Sequence, residues 1–405
     1  MKVTLTVTDG PHKGSAFEFL EHDAFLVGRS PEVQFRLPLR DKTLSRVHFL
    51  IEVNPPSCRL MDMASTNGVR VNGKRVHTAD LRHGDQIQAG GTVLDFAVED
   101  CDETVVQQAD SPSVEPAAPA ETTDWPEVPT FPGYRVDRVL GEGGMGIVYL
   151  AHRESDGALV ALKVIKSIVD TREVVIGRFL REASILRKLE HANIVRFHEI
   201  GFSNGRLFFA MEYVQGTSVA DALKERGPLS VTAAAGLTCH VLKALSYAHA
   251  LGFVHRDIKP ANILTTRQGG KSRALLADFG LAKIYQESSL SGMSVTGQMG
   301  GTLAYMPPEQ ITHFREAKPA ADIYATGATL YTLLTGRKLF EFTGRAEQQI
   351  TRILFDEPTP IRTHRPEIPE ALAAIIHKSL AKAPADRFPD ALAMKDALAP
   401  FAKSP

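Results

Sequence analysis

Cysteine, net charge and long apolar runs are all scarce in this chain, and each scarcity closes off a class of protein. Three cysteines, Cys58, Cys101 and Cys239, lie far apart among 405 residues and show no metal-ligand spacing. They read as buried or free thiols in a reducing compartment. The formal net charge is −1, whereas nucleic acid or an anionic membrane as main partner calls for a basic surface. The most apolar stretch, Leu237 to Val254, is broken by Cys239, His240, Lys243, His249 and Gly252. A membrane helix needs about 20 mostly apolar residues, so none is expected. No charged head followed by an apolar run opens the sequence, and no signal peptide is expected either. The expectation is a cytoplasmic protein that binds neither nucleic acid nor membrane.

What is present divides into three parts. The length suits two domains, each with a full core, and 43% hydrophobic with 23% charged residues is ordinary for a globular chain. Over residues 1–100 the texture is β. In KVTLTVT, Val3, Leu5 and Val7 alternate with polar residues, and RVHFLIEV repeats the pattern with Val47, Phe49, Ile51 and Val53. VRVNGKRV carries Asn72-Gly73, a strong hairpin signal because both residues tolerate positive φ. Such strands predict an all-β sandwich. Residues 101–132 are acidic, Ala- and Pro-rich and devoid of Lys and Arg, which predicts an extended disordered linker. From 133 to 402, strand-like runs give way near residue 175 to helical periodicity. That order predicts a small β-rich lobe to about residue 213 and a larger helical lobe after it.

The third part carries phosphate chemistry. LGEGGMGIVYLA sets Gly141, Gly143 and Gly146 at G-x-G-x-x-G spacing between two strand-like runs. The spacing alone is a weak signal, but a glycine loop between strands suits a triphosphate, whereas the dinucleotide version opens into a helix. In VALKVI, Ala161 and Lys163 share a strand face. Ala161 can roof an adenine while Lys163 reaches the α- and β-phosphates. In RFLREASILRKL, Glu182 falls on the apolar stripe of Phe179, Ala183 and Leu186, where a carboxylate needs a cationic partner. Lys163 is the expected one. In FVHRDIKPANIL, Asp257 can accept a hydroxyl proton, Lys259 can neutralise a phosphoryl group in transfer, and Asn262 can ligate Mg2+. LLADFGLA adds Asp278 as a second Mg2+ ligand and Gly280 as a flexible joint.

In this order, residues from about 134 to 400 resemble the eukaryotic-like protein kinases, most closely the bacterial Ser/Thr members. The resemblance implies an α+β bilobal fold, ATP with Mg2+ (Mn2+ able to substitute), and protein Ser/Thr hydroxyls as acceptors. It assigns catalysis to Asp257, Lys259, Lys163 and Glu182, and metal binding to Asn262 and Asp278. Nucleotide contacts fall on Leu140, Gly141, Glu142, Gly143, Gly144, Met145, Gly146, Ile147, Val148, Ala161, Lys163 and Leu264. FFAMEYVQG resembles the hinge, with Met211 as gate and Glu212 to Val214 against adenine. Thr302 in GGTLAYMPPEQ would contact Asp257 and Lys259. Asp322 would brace the catalytic loop, and Arg387 would pair with Glu309. Pro307 departs from the family, which has Ala or Ser there. Arg256, beside Asp257, implies activation by a phosphate on Ser294 or Thr296.

FLVGRS, LSRVH, ASTNG, VNGKRV and LRHGDQI resemble the forkhead-associated (FHA) domain over residues 1–100. The resemblance implies a phosphothreonine-binding pocket formed by Arg29, Ser45, Arg46 and Thr66, with Asn67 holding the peptide backbone. His48 and Asp85 would stabilise loops. The whole chain then reads as a protein Ser/Thr kinase carrying a phosphothreonine reader. Two rivals stand beside it: a pseudokinase scaffold, and an adaptor that phosphorylates only itself. Thr104, Thr122 and Thr123 in the linker are accessible hydroxyls beside acids. The reader's partner is then a phosphothreonine peptide or protein, including its own linker or a second copy.

Overall fold

Alternating apolar residues at the N-terminus build two facing sheets. The computed structural model describes residues 2–19, 23–30, 33–37, 43–54, 57–99, 130–143, 146–165, 185–203, 206–268, 271–279, 303–312, 317–340 and 346–402. The first strands are β1 (Lys2–Asp9), β2 (Ala16–Phe19), β3 (Asp23–Gly28), β4 (Phe35–Arg36), β5 (Phe49–Asn54) and β6 (Ser57–Asp62). They are followed by β7 (Val69–Val71), β8 (Lys74–Val76), β9 (Thr78–Leu81), β10 (Gln86–Ala89) and β11 (Thr92–Glu99). One sheet runs β2-β1-β11-β10-β7-β8 and the other β4-β3-β5-β6-β9. Val3, Leu5 and Val7 meet Phe49, Ile51 and Val53 in the core between them. Asn72 and Gly73, at φ 51° and 78°, turn β7 into β8 as the dipeptide predicts.

The second sheet departs from simple alternation. Leu26, Leu50 and Met61 stand in register across β3, β5 and β6 on the face away from the sandwich core, yet none is more than 1% exposed. Val47, expected on the inner face, joins them. The large lobe covers this face, and these side chains belong to the same buried apolar cluster as its core. Burying one such side chain contributes roughly 1.5–3 kcal/mol, so the row alone favours docking of the two domains by on the order of 5 kcal/mol.

The small lobe is one antiparallel sheet, ordered β12 (Tyr134–Glu142), β13 (Gly146–Arg153), β14 (Leu159–Ile165), β16 (Arg206–Glu212), β15 (Phe197–Ser203). Val160, Leu162 and Val164 pack on one face with Tyr134, Tyr149 and Phe208. Of the expected helix around Glu182, residues Ile185–Lys188 form a 3-10 turn, and Glu182 itself lies outside the described residues. The large lobe begins with β17 (Thr217–Ser218), α1 (Val219–Arg226) and α2 (Val231–Ala250), and Ser230 caps α2 by accepting from the Ala233 N–H. A hairpin of β18 (Ile263–Gln268) and β19 (Lys271–Leu276) follows. Then come α3 (Pro308–Thr312), α4 (Pro319–Thr335), α5 (Ala346–Phe355), α6 (Ile361–His364), α7 (Glu370–Ser379) and α8 (Ala391–Leu398). Helix α4 is buried from Ala321 to Leu334 and anchors the lobe. Among the described residues no helix is long and apolar enough to cross a membrane.

Candidate active site and phosphate pocket

The cleft lies between the small-lobe sheet and the loops of the large lobe. Because Val160, Leu162 and Val164 take the core face of β14, Ala161 and Lys163 take the other. Ala161 pairs with Met211 and Lys163 with Val148 across the strands, which brings four expected nucleotide contacts to one patch. Leu264, on β18, is half-buried. The Ile147 side chain packs into the lobe core, so its backbone is the part that borders the glycine loop. The amide of Glu212 donates to the Arg196 carbonyl at 2.8 Å, so the adenine edge is left to other backbone groups of the hinge. Leu140 and Val214 are half-buried, while Gly141, Glu142 and Gly143 are exposed. Gly144 and Met145 lie outside the described residues.

Two glycines of the loop differ in why they are glycine. A Cβ on Gly146 would stand 2.1 Å from the Val164 carbonyl oxygen, so the close approach of β13 to β14 demands its absence. On Gly143 nothing among the described residues stands within 4 Å of that position. Packing within the chain therefore gives no reason for it, and the open space suits a ligand pressed against the backbone.

Lys163 is 8% exposed, and its Nζ meets Asp278 Oδ2 at 2.6 Å. Burial alone pushes the Asp278 carboxyl up, but the Lys163 charge and hydrogen bond outweigh it and hold the group below the usual carboxylate range. Asp278 also adopts φ 62°, a strained value for a non-glycine residue. The expected pairing of Lys163 with Glu182 falls outside the described residues; among those described, the ion-pair partner is Asp278.

The catalytic loop is hung on one carboxylate. Asp322, fully buried at the start of α4, accepts from the backbone N–H groups of His255 and Arg256, each at 2.8 Å. His249 Nε2 lies 2.8 Å from the same carboxylate. His255 Nδ1 accepts from the Asp257 amide at 3.2 Å, so its Nε2 bears the proton and donates to the Ala277 carbonyl at 2.8 Å. This bond ties the loop to the segment that carries Asp278. Neither histidine was singled out in the sequence; only the position of His255 beside Arg256-Asp257 signals its part.

Asp257 is 9% exposed and uses its two oxygens differently. Oδ2 accepts from Lys259 Nζ at 2.8 Å and from Asn262 Nδ2 at 2.9 Å. Oδ1 is buried and, among the described residues, has no hydrogen-bond partner. Such an acceptor in a buried site is unsatisfied until a donor arrives, and a hydroxyl is a donor of the right kind. Asn262 spends its amide nitrogen on Asp257, which leaves its oxygen for a cation. Further out, Arg387 grips Glu309 with two bonds of 2.6 and 2.8 Å and donates to three backbone carbonyls, as the sequence predicts. Ser294, Thr296, Thr302 and the linker residues Thr104, Thr122 and Thr123 lie outside the described residues.

The sandwich brings its expected phosphate contacts together on two loops. A Cβ on Gly28 would stand 2.3 Å from the Arg46 carbonyl oxygen, so glycine lets the loop after β3 close on the loop before β5. There the Arg29 amide donates to the Ser45 carbonyl at 3.2 Å. Ser45 Oγ accepts from the Thr66 amide at 3.0 Å and lies 3.4 Å from Thr66 Oγ1. His48 is wholly buried and fixes the loops through the Ser45 amide and the Gly68 carbonyl, while Asp85 accepts from Asn72 and the Arg82 amide. Asn67, expected to hold the peptide backbone, donates its Nδ2 to the Thr43 carbonyl at 2.7 Å. The Arg29 Nε is buried and, among the described residues, lacks a hydrogen-bond partner.

Comparison with known proteins places both regions. The protein kinase domain model matches residues 134–398 and the FHA domain model residues 25–90. Serine/threonine-protein kinase PknJ of Mycobacterium tuberculosis is 39% identical over 263 residues, covering 64% of this chain and 44% of that protein. Serine/threonine-protein kinase pkn3 of Myxococcus xanthus is 38% identical over 268 residues, covering 65% and 48%. The match thus spans less than half of these relatives. The crystal structure of the Mycobacterium tuberculosis PknI kinase domain aligns with TM-score 0.53 and 29% identity over 67% of this chain and 98% of that one. Rad53 1-466 in complex with AMP-PNP aligns over 100% of both chains, with TM-score 0.54 and 24% identity, a likeness of fold alone.

Proposed function

Because this chain belongs to the protein kinase family and carries an FHA domain, we propose that it transfers the γ-phosphoryl group of ATP to protein Ser/Thr hydroxyls and binds phosphothreonine peptides. The buried, unpartnered Oδ1 of Asp257 carries the first half of this reading. An incoming hydroxyl donates its hydrogen bond there, which orients the oxygen toward the γ-phosphorus and gives its proton a place to go. Lys259, already 2.8 Å from Asp257, supplies positive charge beside the group in transfer. Lys163 holds the α- and β-phosphates. Its contact with Asp278 keeps the two sides of the cleft in reach of one another.

The donor set also fits a divalent cation. Asp278 is held ionised and Asn262 has an amide oxygen to offer, both hard oxygen ligands. Mg2+, or Mn2+ in its place, would be held by these two residues and would neutralise phosphate charge. Arg256 sits beside Asp257 to receive a phosphate on Ser294 or Thr296 as an activating step. Phosphorylated Thr104, Thr122 or Thr123 in the linker is the proposed ligand of the FHA pocket, within one chain or between two. Radiolabel transfer from ATP to a generic acceptor protein tests the catalytic reading. Signal from the parent and none from Asp257→Asn is expected; equal background from both would leave a nucleotide-binding scaffold. Phosphosite mapping after incubation with ATP and Mg2+ tests the linker and loop sites.

A further inference from the structure

The large lobe holds a cavity of about 700 Å³ that shares no residue with the nucleotide contacts named above. Its volume is that of a small-molecule site. A stripe of α2 lines it, where Thr232, Gly236 and His240 recur every fourth residue and Leu237 adds an apolar side chain. Val219 and Ala222 of α1, and Thr265 and Thr266 of β18, supply further walls. These walls are tied together. Thr266 Oγ1 donates to the Gln215 carbonyl at 2.9 Å, and Thr265 Oγ1 to the Thr217 carbonyl at 3.2 Å. A Cβ on Gly216 would stand 2.0 Å from the Thr265 carbonyl oxygen, so the chain leaving the hinge lies directly on β18. His240 Nδ1 accepts from the Ala274 amide at 3.3 Å, which places its proton on Nε2 as a donor. Burial, with Lys243 and Arg273 nearby, holds that imidazole below its usual range and keeps it neutral.

Two independent features give this cavity a ligand. The first is Gly236, in the interior of α2. Glycine there costs about 1 kcal/mol against alanine, yet a Cβ at this position would meet no atom of the described residues within 4 Å. Packing among those residues does not call for a glycine, and bare backbone suits an apolar body laid against the helix. The second is charge. The guanidiniums of Arg226, Arg267 and Arg273 all line the cavity, beside the neutral donor His240. Arg273 donates to the Ala192 carbonyl, a neutral partner that anchors the side chain and leaves its charge in place. An acidic group on the ligand gains a charge-assisted hydrogen bond there. We propose that the cavity binds a small amphipathic anion, with an aromatic or aliphatic body along α2 at Gly236 and one acidic group at the arginines. The strand that carries Thr265 and Thr266 also carries Leu264 and directly follows Asn262, so one strand serves this site and the cleft.

The full chain serves for the test. It is titrated with anilinonaphthalenesulfonate, an apolar body bearing one anionic group, and with the uncharged phenylnaphthylamine, each followed by dye fluorescence. The parent binds the sulfonate saturably and about tenfold more tightly than the neutral dye, the scale of one charge-assisted contact. Gly236→Leu fills the cavity and abolishes saturable binding of both dyes, with a melting temperature no lower than the parent's. Changing Arg226, Arg267 and Arg273 together to glutamine removes the preference for the sulfonate while keeping affinity for the neutral dye. If Gly236→Leu binds the sulfonate as the parent does, the dye sits elsewhere and the inference is wrong. It is equally wrong if the parent gives no saturable signal or binds the two dyes alike. Should a variant melt below the parent, hydrogen exchange on the unmutated chain decides. Amides of residues 215–217 and 265–267 slow when the sulfonate binds, and unchanged exchange there overturns the site.

Discussion

The cleft and the sandwich pocket, both proposed to meet phosphate, each present positive charge, and they prepare it in opposite ways. In the cleft each charged group has a partner of opposite sign: Lys163 with Asp278, Lys259 with Asp257, and more remotely Arg387 with Glu309. The catalytic loop is fixed by the buried carboxylate of Asp322. In the pocket, Arg29, Arg46 and Arg352 line a cavity that no carboxylate among the described residues lines. A transfer site must hold several groups in one geometry before substrate arrives, which paired and buried charges achieve. A binding site draws its affinity from the ligand's own charge, so cations gathered around an open cavity serve it better. The difference teaches where each site is fragile: the cleft through its geometry, the pocket through its net charge.

The strongest way to break that contrast is Asp257→Asn, which keeps shape and removes the acceptor. Phosphoryl transfer should fall about 10²- to 10⁴-fold, while a nucleotide-induced shift in melting temperature persists. Asp322→Asn tests geometry alone, since the residue touches no substrate. It should lower kcat by roughly 10²-fold with little change in KM for ATP and with the protein still folded at the assay temperature; a melting transition below that temperature would point to general unfolding instead. Arg387→Ala strands Glu309 and should destabilise the large lobe by about 3–5 kcal/mol, read as a lower denaturant midpoint. By contrast Arg46→Ala, at an exposed rim position, should change stability by less than about 0.5 kcal/mol. Similar losses at the two arginines would erase the distinction drawn between buried paired charge and exposed rim charge.

The smallest effect concerns pH. The folded pKa of Asp278 lies below its ordinary value, so its stabilisation is fully present above the ordinary carboxylate pKa. It is lost as pH falls through the depressed one. Asp278→Asn should therefore flatten the stability curve below about pH 4, measured by denaturant unfolding at successive pH values. An acid limb identical to the parent's would show that Lys163 does not hold the carboxylate ionised.

Much of this was legible in residue order because local chemistry set it. The strand alternation of β1, the Asn72-Gly73 turn and the glycine loop between strands each follow from backbone sterics or side-chain period. Asp257, Lys259, Asn262 and Asp278 could be named because their spacing lets a short loop and a turn present them together. Leu26, Leu50 and Met61 were hidden in plain sight. Each interrupts the alternation expected of a sheet with one wet face, and an interrupted pattern does not say what covers it. His249 was illegible for a similar reason: its partner Asp322 is 73 positions away, and only packing of α2 against α4 brings them together.

The sequence by itself determined the two domains, their order and the groups able to act on phosphate, since these depend on residue type and short-range spacing. Tertiary structure alone decided which oxygen of Asp257 stays open, that Ile147 turns away from the cleft, and that Asn67 is engaged by Thr43. It also decided that helix α5 forms the far wall of the cavity beside Arg29 and Ser45. Each of these depends on contacts between distant segments, and such contacts are fixed by how apolar faces are buried rather than by any neighbour in the chain.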